Sequence, residues 1–389
     1  MRILHTADWH IGKLVNGFSM LDDQRYMLGQ LLTLIKEEKP DALIVAGDIY
    51  DRSVPPADAV ELLDEFFTTV ALDLNVPLLV ISGNHDSPER LNFASKLLKS
   101  RGLHIVGANK NEPIIKVPLN DEHGPLNVYL VPFADPQHVR YYYDDLSIRT
   151  YDDAMSKLVS EIRKGDFSKE ERNILVTHGF ITAMNQEVEE SESERPLSIG
   201  GTDHIDVNHF DDFDYVALGH LHGPQKVKHD HVRYSGSLLK YSFSEVNQNK
   251  SVTMVKFDVD GYKGYELIPL QPKRDLRIIE GRLQDLIKRE FYSQTNCEDY
   301  LQVVLTDRGE LIDPIHTLRS VYPNVMQLIR NNTIENLDSR TKATGEFKNK
   351  TKLELFSEFY ENLTGKAIDK KQNDLLIDVI TKAEKEYNV

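Results

Sequence analysis

Five short apolar runs along the chain have the composition of buried β-strands. Each run is rich in leucine, valine, isoleucine or other apolar residues, and each ends directly before a short polar motif. The runs cover residues 3–6, 42–46, 78–81, 174–177 and 215–218. Amphipathic stretches with helical spacing lie at residues 22–38, 57–74, 88–100 and 152–164. This alternation of strands and helices predicts an α/β fold.

Alternating apolar and polar positions dominate the chain after residue 222. Residues 226–234, 252–258 and 262–270 alternate around turn-forming segments, as the strands of an antiparallel ladder would. We expect them to form the second sheet of an αββα sandwich that spans residues 1–270.

The last third of the chain predicts a different organisation. Residues 271–330 mix short strand and helix patterns, which indicates a small α+β capping domain. Residues 331–350 are polar and highly charged, and predict a linker. Residues 351–389 carry two apolar stripes at helical spacing. Such stripes must be covered, either by the capping domain or by a partner protein.

The polar motifs that follow the five predicted strands contain metal-binding residue types. They are Asp8-Trp9-His10, Gly47-Asp48, Gly83-Asn84-His85-Asp86, His178-Gly179 and Gly219-His220-Leu221-His222. In open α/β sheets, ligands bind at the carboxyl ends of the strands. We therefore expect these scattered motifs to form one site.

The donor types favour two divalent transition-metal ions. Carboxylate, imidazole and amide groups together suit manganese, iron or zinc, and the single cysteine, Cys297, excludes a thiolate site. A pair of ions needs a bridging carboxylate, for which Asp48 is the natural candidate. The first ion is expected to bind Asp8, His10, Asp48 and His222. The second is expected to bind Asp48, Asn84, His178 and His220.

His85 and Asp86 are left without a place among these ligands, although they follow Asn84 directly. A histidine there can supply a proton or a positive charge to the alkoxide expelled from phosphorus. We predict that His85 has this catalytic role and that Asp86 supports it through a hydrogen bond.

The ordered set of five motifs resembles the calcineurin-like metallophosphoesterase superfamily. Three further stretches resemble the SbcD family of bacterial nuclease subunits in particular. They are residues 1–13, Gly47-Asp-Ile-Tyr-Asp51, and Ser191-Glu-Ser-Glu-Arg195 followed by Ile199-Gly-Gly201. The resemblance covers roughly the first two-thirds of the chain well and the remainder by layout only.

The resemblance implies a nuclease that acts in DNA recombination, replication and repair. It implies two Mn²⁺ ions, ATP-dependent 3′-to-5′ exonuclease activity on duplex ends, and endonuclease activity on single strands and hairpins. It also implies a homodimer, a capping domain that selects DNA over smaller esters, and C-terminal helices that dock onto SbcC, an SMC-like ATPase.

Two other functions are compatible with parts of the sequence. The stretch from Gly47 to Arg52 also resembles the G-D-x-x-D-R motif of phosphoprotein phosphatases, although Ser53 replaces that family's glycine and Asp86 its glutamate. A metallophosphatase is therefore one alternative, and a mainly architectural subunit of an ATPase complex is another. In the nuclease, Arg52 and Lys13 are candidate contacts to the DNA phosphates.

Composition counts against DNA binding by overall charge. The 389 residues carry a formal net charge of -16, whereas DNA-binding domains are usually basic. Metal ions, a local basic surface and a partner would have to offset this acidity. There is no apolar run of the ~20 residues that a membrane span needs and no signal-like start, so we expect a cytoplasmic protein.

Overall fold

In the computed structural model, the residues described are 1–107, 113–183, 188–194, 197, 203–307, 309–330 and parts of 353–379. Residues 1–330 form one compact unit, and the residues from 331 onward belong to a second. The predicted linker at 331–350 lies outside the described residues. The described residues within 353–361 and 370–379 are helical, apart from those at 367–369 that precede the second helix. None of the described helices is long and apolar enough to cross a membrane.

Two six-stranded sheets form the centre of the first unit. The first sheet has the strand order Gly261–Pro269, Ser251–Asp258, Arg2–Thr6, Ala42–Ala46, Leu78–Ile81 and Leu103–Val106. The second sheet has the order Gln225–Val227, His229–Tyr234, Tyr215–Gly219, Arg172–His178, Gly124–Val131 and Ile115–Asp121. The four last strands of the first sheet and the four central strands of the second are parallel.

The sheets pack face to face because their strands alternate between two apolar surfaces. In the first strand, Ile3 enters a core shared with Ile174 and Val176 of the second sheet. The next residue, Leu4, packs on the opposite face with the helix Leu21–Glu38. The outer face of the second sheet packs against Tyr151–Lys164. The resulting layers are helix, sheet, sheet and helix, which confirms the predicted αββα fold.

The remaining elements are shorter. The other helices are Ala57–Thr68 with a π-helical continuation Thr69–Asp73, Pro88–Leu91, Ser95–Leu98, Pro136–Tyr143, Leu283–Leu286, Arg289–Tyr292 and Pro314–Arg319. Two small strand pairs join Leu14–Val15 to Phe18–Ser19 and Phe180–Thr182 to His204–Asp206. Single turns of 3₁₀ helix lie at Lys99–Arg101, Val207–Phe210 and Phe243–Glu245.

The structure corrects three expectations about these elements. Residues 252–258 and 262–270 extend the first sheet rather than the second, because Ser251–Asp258 pairs antiparallel with Arg2–Thr6. The helix expected at 88–100 is interrupted at Ala94, whose φ of 59° is incompatible with a continuous helix. The hairpin Ile115–Asp121 with Gly124–Val131, which completes the second sheet, was not predicted.

The region expected to form the capping domain contains a separate three-stranded parallel sheet. Its strands are Leu276–Gly281, Tyr300–Leu305 and Val325–Arg330. They pack with the nearby helices in an apolar cluster of their own. A buried carboxylate of the first helix attaches this region to the sandwich, since Asp23 accepts hydrogen bonds from Arg274 Nε at 3.0 Å and Tyr300 Oη at 2.8 Å.

Candidate metal centre

The two sheets bring all five motifs to one edge of the sandwich. Asp8, Asp48 and Asn84 follow three adjacent parallel strands of the first sheet. His178 and Gly219 end two adjacent strands of the second sheet and are directly paired in register. The sheets meet where His178 Nδ1 donates a hydrogen bond to the Ala46 carbonyl oxygen at 2.9 Å. The five motifs therefore lie close together, as the sequence predicts.

Motif glycines allow close approach of neighbouring loops within the first sheet, at Gly83, and of the two sheets to each other, at Gly219. A Cβ atom on Gly83 would lie 2.1 Å from Asp48 Oδ1. A Cβ atom on Gly219 would lie 1.9 Å from the Ala46 carbonyl oxygen. Both distances are far below van der Waals contact, so any side chain at these positions would displace the ligand-bearing loops.

Several candidate ligands sit in backbone conformations that L-residues seldom adopt. The φ angles are 53° at Asp8, 46° at His10, 50° at Asp48 and 117° at His220. Such conformations are unfavourable, and they concentrate at functional sites.

Asp48 lies between two groups of donor atoms. Its Oδ2 atom is 3.7 Å from His10 Nε2 and 3.5 Å from His178 Nε2. On the first side, His10 Nε2 lies 3.1 Å from His222 Nε2, and potential ligand atoms of Asp8, His10 and His222 all lie within 4.8 Å of one another. Asp48 thus lies between the two donor groups, where a bridging carboxylate would have to be.

The second group of donors lies around Asn84. Its Oδ1 atom is 2.9 Å from His178 Nε2 and 3.3 Å from His220 Nδ1. Ligand atoms of Asp8, Asp48 and His178 also converge within 4.8 Å. All seven predicted ligands therefore converge, in the two groups expected from the sequence.

Burial and neighbouring charges shift the pKa values of several candidate ligands strongly. Although burial opposes it, the Asp48 carboxylate raises the pKa of His178 to about 9. Burial lowers the pKa of His220 to about 3 and raises that of Asp8 well above its usual value. His10 Nδ1 is buried without a hydrogen-bond partner among the described residues. Divalent cations would offset this burial of carboxylates, and oxygen and imidazole donors fit them chemically.

His85 lies at the open side of this cluster. Its Nδ1 atom is 2.8 Å from the carbonyl oxygen of Asp51, so Nδ1 donates and Nε2 faces the site. Nε2 lies 4.0 Å from Asp48 Oδ2, and 13% of the side chain is exposed. This placement lets His85 reach a substrate without being a ligand in either donor group.

Asp86 does not support His85 as predicted. Its carboxylate is buried and accepts hydrogen bonds from the backbone N–H groups of Ile49, Tyr50 and Gly83, at 3.1, 2.9 and 2.9 Å. The support of His85 comes instead from the Asp51 carbonyl. Asp86 joins the loops that carry Asp48 and Asn84, because a carboxylate can satisfy several N–H donors at once.

Replacing Asp86 with alanine is expected to destabilise the protein. Three buried N–H groups would lose their acceptor, and unfolding free energy should fall by at least about 2 kcal/mol. Denaturant unfolding of the metal-free protein measures this change. The exposed neighbour Glu89→Ala is the control, with an expected change within about 0.5 kcal/mol. Equal stability of the two variants would contradict this role of Asp86.

The two predicted phosphate contacts lie at the margin of the site. Lys13 Nζ forms an ion pair with Asp51 Oδ1 at 2.8 Å, and only 12% of its side chain is exposed. Arg52 is exposed on the loop that follows Asp51. The contact of Arg52 with a DNA phosphate stays a prediction, whereas Lys13 already has a carboxylate partner.

Two other residues of the first strand and its loop are packed in the core. His5 is fully buried, its Nδ1 is 2.9 Å from Tyr215 Oη, and burial lowers its pKa to about 3. The Trp9 ring is also fully buried and packs edge to face on Phe66.

Residues around His222 complete the site, and their part in it was not predicted from the sequence. They are Ser193, Glu194, Glu245 and Lys250, all of which hydrogen-bond to His222 or to one another. The stretch Ser191-Glu-Ser-Glu stands out in the sequence only as a point of resemblance, and Glu245 and Lys250 stand in no motif.

The chain is similar to known proteins over most of its length. The family model of the calcineurin-like phosphoesterases matches residues 1–224. The SbcD component of the SbcCD nuclease from Staphylococcus epidermidis is 36% identical over 376 residues, covering 96% of each chain. The chain belongs to the SbcD family of nuclease subunits. The SbcD protein of Staphylococcus saprophyticus is 35% identical over 389 residues, covering 98% of each chain.

Membership of the SbcD family confirms the resemblance seen in the sequence. With its phosphoesterase domain, this SbcD family member is a metal-dependent hydrolase of the nuclease class. A second family model, the type 5 capsule protein repressor C-terminal domain, matches residues 272–364. The clustered histidines and aspartates of the first region are compatible with a two-metal site.

Proposed function

We propose that this protein hydrolyses DNA phosphodiester bonds with two Mn²⁺ ions. The observation that carries the proposal is the position of Asp48 Oδ2, within 3.7 Å of donors from both groups. A single carboxylate oxygen between two sets of imidazoles is the arrangement that a pair of divalent ions needs. The mixed nitrogen and oxygen donors suit manganese, iron or zinc, and the resemblance to the SbcD family favours manganese among them.

The chain's own residues have distinct roles in this reaction. Asp8, His10, Asp48 and His222 would hold one ion, and Asp48, Asn84, His178 and His220 the other. When bound, the pair supplies Lewis acidity for an in-line displacement at phosphorus. His85, held by the Asp51 carbonyl through Nδ1, donates a proton from Nε2 of its protonated form to the leaving alkoxide.

The proposed choice of DNA over small esters is supported by the position of the capping region. The short hairpin at residues 14–19 directly follows the loop of Asp8 and His10, and it touches the capping region. Phe18 packs edge to face on Tyr300, and Gln327 Nε2 donates to Asn16 Oδ1 at 3.1 Å. A polymer entering the site would meet this surface, whereas a small ester would not.

Cleavage of labelled DNA tests the proposed function. End-labelled linear duplex and hairpin DNA, with a small aryl phosphodiester in parallel, are incubated with the purified chain in Mn²⁺ or in EDTA. We expect manganese-dependent cleavage of DNA, alone or with an SbcC-type ATPase and ATP. Hydrolysis of the small ester with no DNA cleavage even beside the ATPase would support the phosphatase alternative instead.

The C-terminal helices are proposed to bind that ATPase. Their described residues include Leu375 and Val379, which are 65% and 54% exposed, are both helical and lie four positions apart. An apolar stripe of this kind fits the groove or coiled coil of a partner.

Deletion of residues 351–389 is expected to separate the two activities. Hydrolysis of a small phosphodiester should be retained, because none of the metal-centre residues is removed. ATP-stimulated DNA cleavage with the partner should be lost. Leu375→Glu in the full chain should weaken partner binding similarly, with the exposed Lys371→Gln as its control. Loss of small-ester hydrolysis in the deletion would contradict this division.

The homodimer is proposed to form through an exposed apolar surface beside the site. Its members follow the loops of Asp51 and His85 and lie on the helix Ala57–Thr68, on its π-helical continuation, in the turn at Phe93 and on the helix Ser95–Leu98. They are Val60, Leu72, Phe93 and Leu97, with exposures of 45%, 51%, 82% and 76%. Contiguous apolar surface of this kind marks interaction sites.

Phe93→Asp is expected to convert the dimer to a monomer, because a charge would replace the most exposed ring of this surface. Light scattering after size-exclusion chromatography measures the mass. Tyr141→Asp, at a ring that is 81% exposed on another helix, is the control and should remain dimeric. A wild-type chain that is monomeric, or a Phe93 variant that stays dimeric, would contradict the assignment.

A further inference from the structure

A chain of polar contacts extends from the ring of His222 to a buried ion pair. His222 Nδ1 lies 2.7 Å from Ser193 Oγ, and Ser193 Oγ lies 2.5 Å from Glu245 Oε1. Glu245 Oε2 accepts a hydrogen bond from Lys250 Nζ at 2.6 Å. A carboxylate can only accept, so the Ser193 hydroxyl donates to Glu245 and accepts from His222 Nδ1. His222 Nε2 is therefore left without a proton and faces the metal centre.

The backbone of His222 is held by the same group of residues. Its N–H donates to Glu194 Oε1 at 2.6 Å, and its carbonyl oxygen accepts from Lys250 Nζ at 2.8 Å. Glu194 is itself fixed by Ser191, whose N–H and hydroxyl donate to it at 2.9 and 2.8 Å. Within this segment, Ser193 thus holds the ring of His222, and Glu194 holds its backbone N–H.

The ion pair of Glu245 and Lys250 is almost entirely removed from solvent. The side chains of Glu245 and Lys250 are 0% and 4% exposed. Ser237 Oγ and Gln248 Oε1 also lie within hydrogen-bonding distance of Lys250 Nζ, at 2.9 and 2.7 Å, so its three N–H donors are shared among four acceptors. A buried ion pair is costly unless its hydrogen bonds are satisfied, and it contributes geometry more than stability. By contrast, His178 Nδ1 donates only to a backbone carbonyl, that of Ala46.

We propose that Ser193, Glu245 and Lys250 are positioning residues that fix the tautomer of His222 and strengthen its bond to one metal ion. That ion is the one held by Asp8, His10 and His222, and the inference rests on the two-metal function proposed above. A carboxylate behind a ligating histidine orients the ring and makes it a stronger donor, and loss of such a partner costs about 10- to 100-fold in metal affinity.

Mn²⁺ binding by Ser193→Ala tests the proposal in the full chain. Free Mn²⁺ is followed by electron paramagnetic resonance during a titration. One of two binding steps should weaken about 10- to 100-fold, and the other should stay unchanged. Ser100→Ala is the control, because the exposed Ser100 donates through Oγ to the Leu97 carbonyl oxygen at 3.0 Å and lies outside the contacts to His222 and Glu245. Equal isotherms for wild type and Ser193→Ala would overturn the proposal.

The tautomer of His222 gives a readout that needs no metal. In metal-free protein labelled with ¹⁵N-histidine, the wild-type ring should show a protonated Nδ1, and Ser193→Ala should show a mixture of tautomers. Glu245→Gln with Lys250→Met, which removes both charges together, should shift the tautomer in the same direction. An unchanged tautomer in both variants would overturn the proposal. Failure of wild type to bind two ions would count against the two-metal function, while the tautomer would still decide the positioning role.

Discussion

Asp48→Asn is expected to abolish the two-metal centre with little change in the fold. The substitution keeps a side-chain oxygen that can accept a hydrogen bond from the backbone N–H of His85, as Asp48 Oδ1 does at 2.9 Å. It removes the charge that lies between His10 and His178. Loss of a hydrogen-bond partner of a metal ligand lowers metal affinity about 10- to 100-fold. Loss of the bridging ligand itself should therefore lower metal affinity by more than about 100-fold.

Metal content and phosphodiesterase rate measure the effect of Asp48→Asn. Binding of Mn²⁺ should fall for both ions, and hydrolysis should fall by at least about 100-fold at a fixed metal concentration. Asp64→Asn removes the same charge from an exposed position on the helix Ala57–Thr68 and should leave both quantities unchanged. Two ions bound with wild-type affinity in Asp48→Asn would exclude the bridging role.

His85→Gln is expected to lower the rate of DNA hydrolysis by about 10²- to 10⁴-fold, the usual contribution of a general acid. Mn²⁺ affinity should be unchanged, because His85 lies outside both donor groups. The loss should depend on the leaving group. An aryl phosphodiester expels a stable phenolate that needs no proton, so its hydrolysis should be affected much less than that of DNA.

Steady-state rates on both substrates, with Mn²⁺ titrations of the same preparations, separate the possible roles of His85. A large loss on DNA, a small loss on the aryl ester and intact metal binding would establish proton donation to the alkoxide. Equal losses on the two substrates together with weakened metal binding would show that His85 supports the ions instead.

The candidate ligands could be predicted because each follows a strand that is recognisable from its own residues. The run 42–46, for example, is apolar throughout and ends at Gly47-Asp48, and the structure gives the strand Ala42–Ala46. Parallel strands bring such ends to one edge of the sheet. Local patterns and a general rule of α/β folds were therefore enough to predict that the seven candidate ligands lie close together.

Sheet membership could not be predicted in the same way. The segments 252–258 and 262–270 have a clear strand pattern and pair with each other, but the first of them joins a sheet through contacts with residues about 250 positions earlier. Alternation gives the faces of a strand and not its partner. The hairpin of residues 115–131 was missed although Val128, Leu130 and Val131 are all fully buried.

The supporting residues of the site were the least predictable. Asp86 stands beside His85 in sequence, yet its carboxylate points to the backbone of a different loop. Glu245 and Lys250 act on His222 from a distant segment. Hydrogen bonds of these kinds depend on loop geometry, including the left-handed conformations at Asp8 and Asp48, which sequence alone does not reveal.

Anomalous scattering from crystals of the Mn²⁺-bound protein would show directly whether the site holds two ions. We expect two manganese peaks per chain, about 3.5–4 Å apart, with Asp48 between them. One peak should contact Asp8, His10 and His222, and the other Asn84, His178 and His220. A single peak in saturating Mn²⁺, or two peaks that do not share Asp48, would contradict a two-metal phosphodiesterase centre at this site.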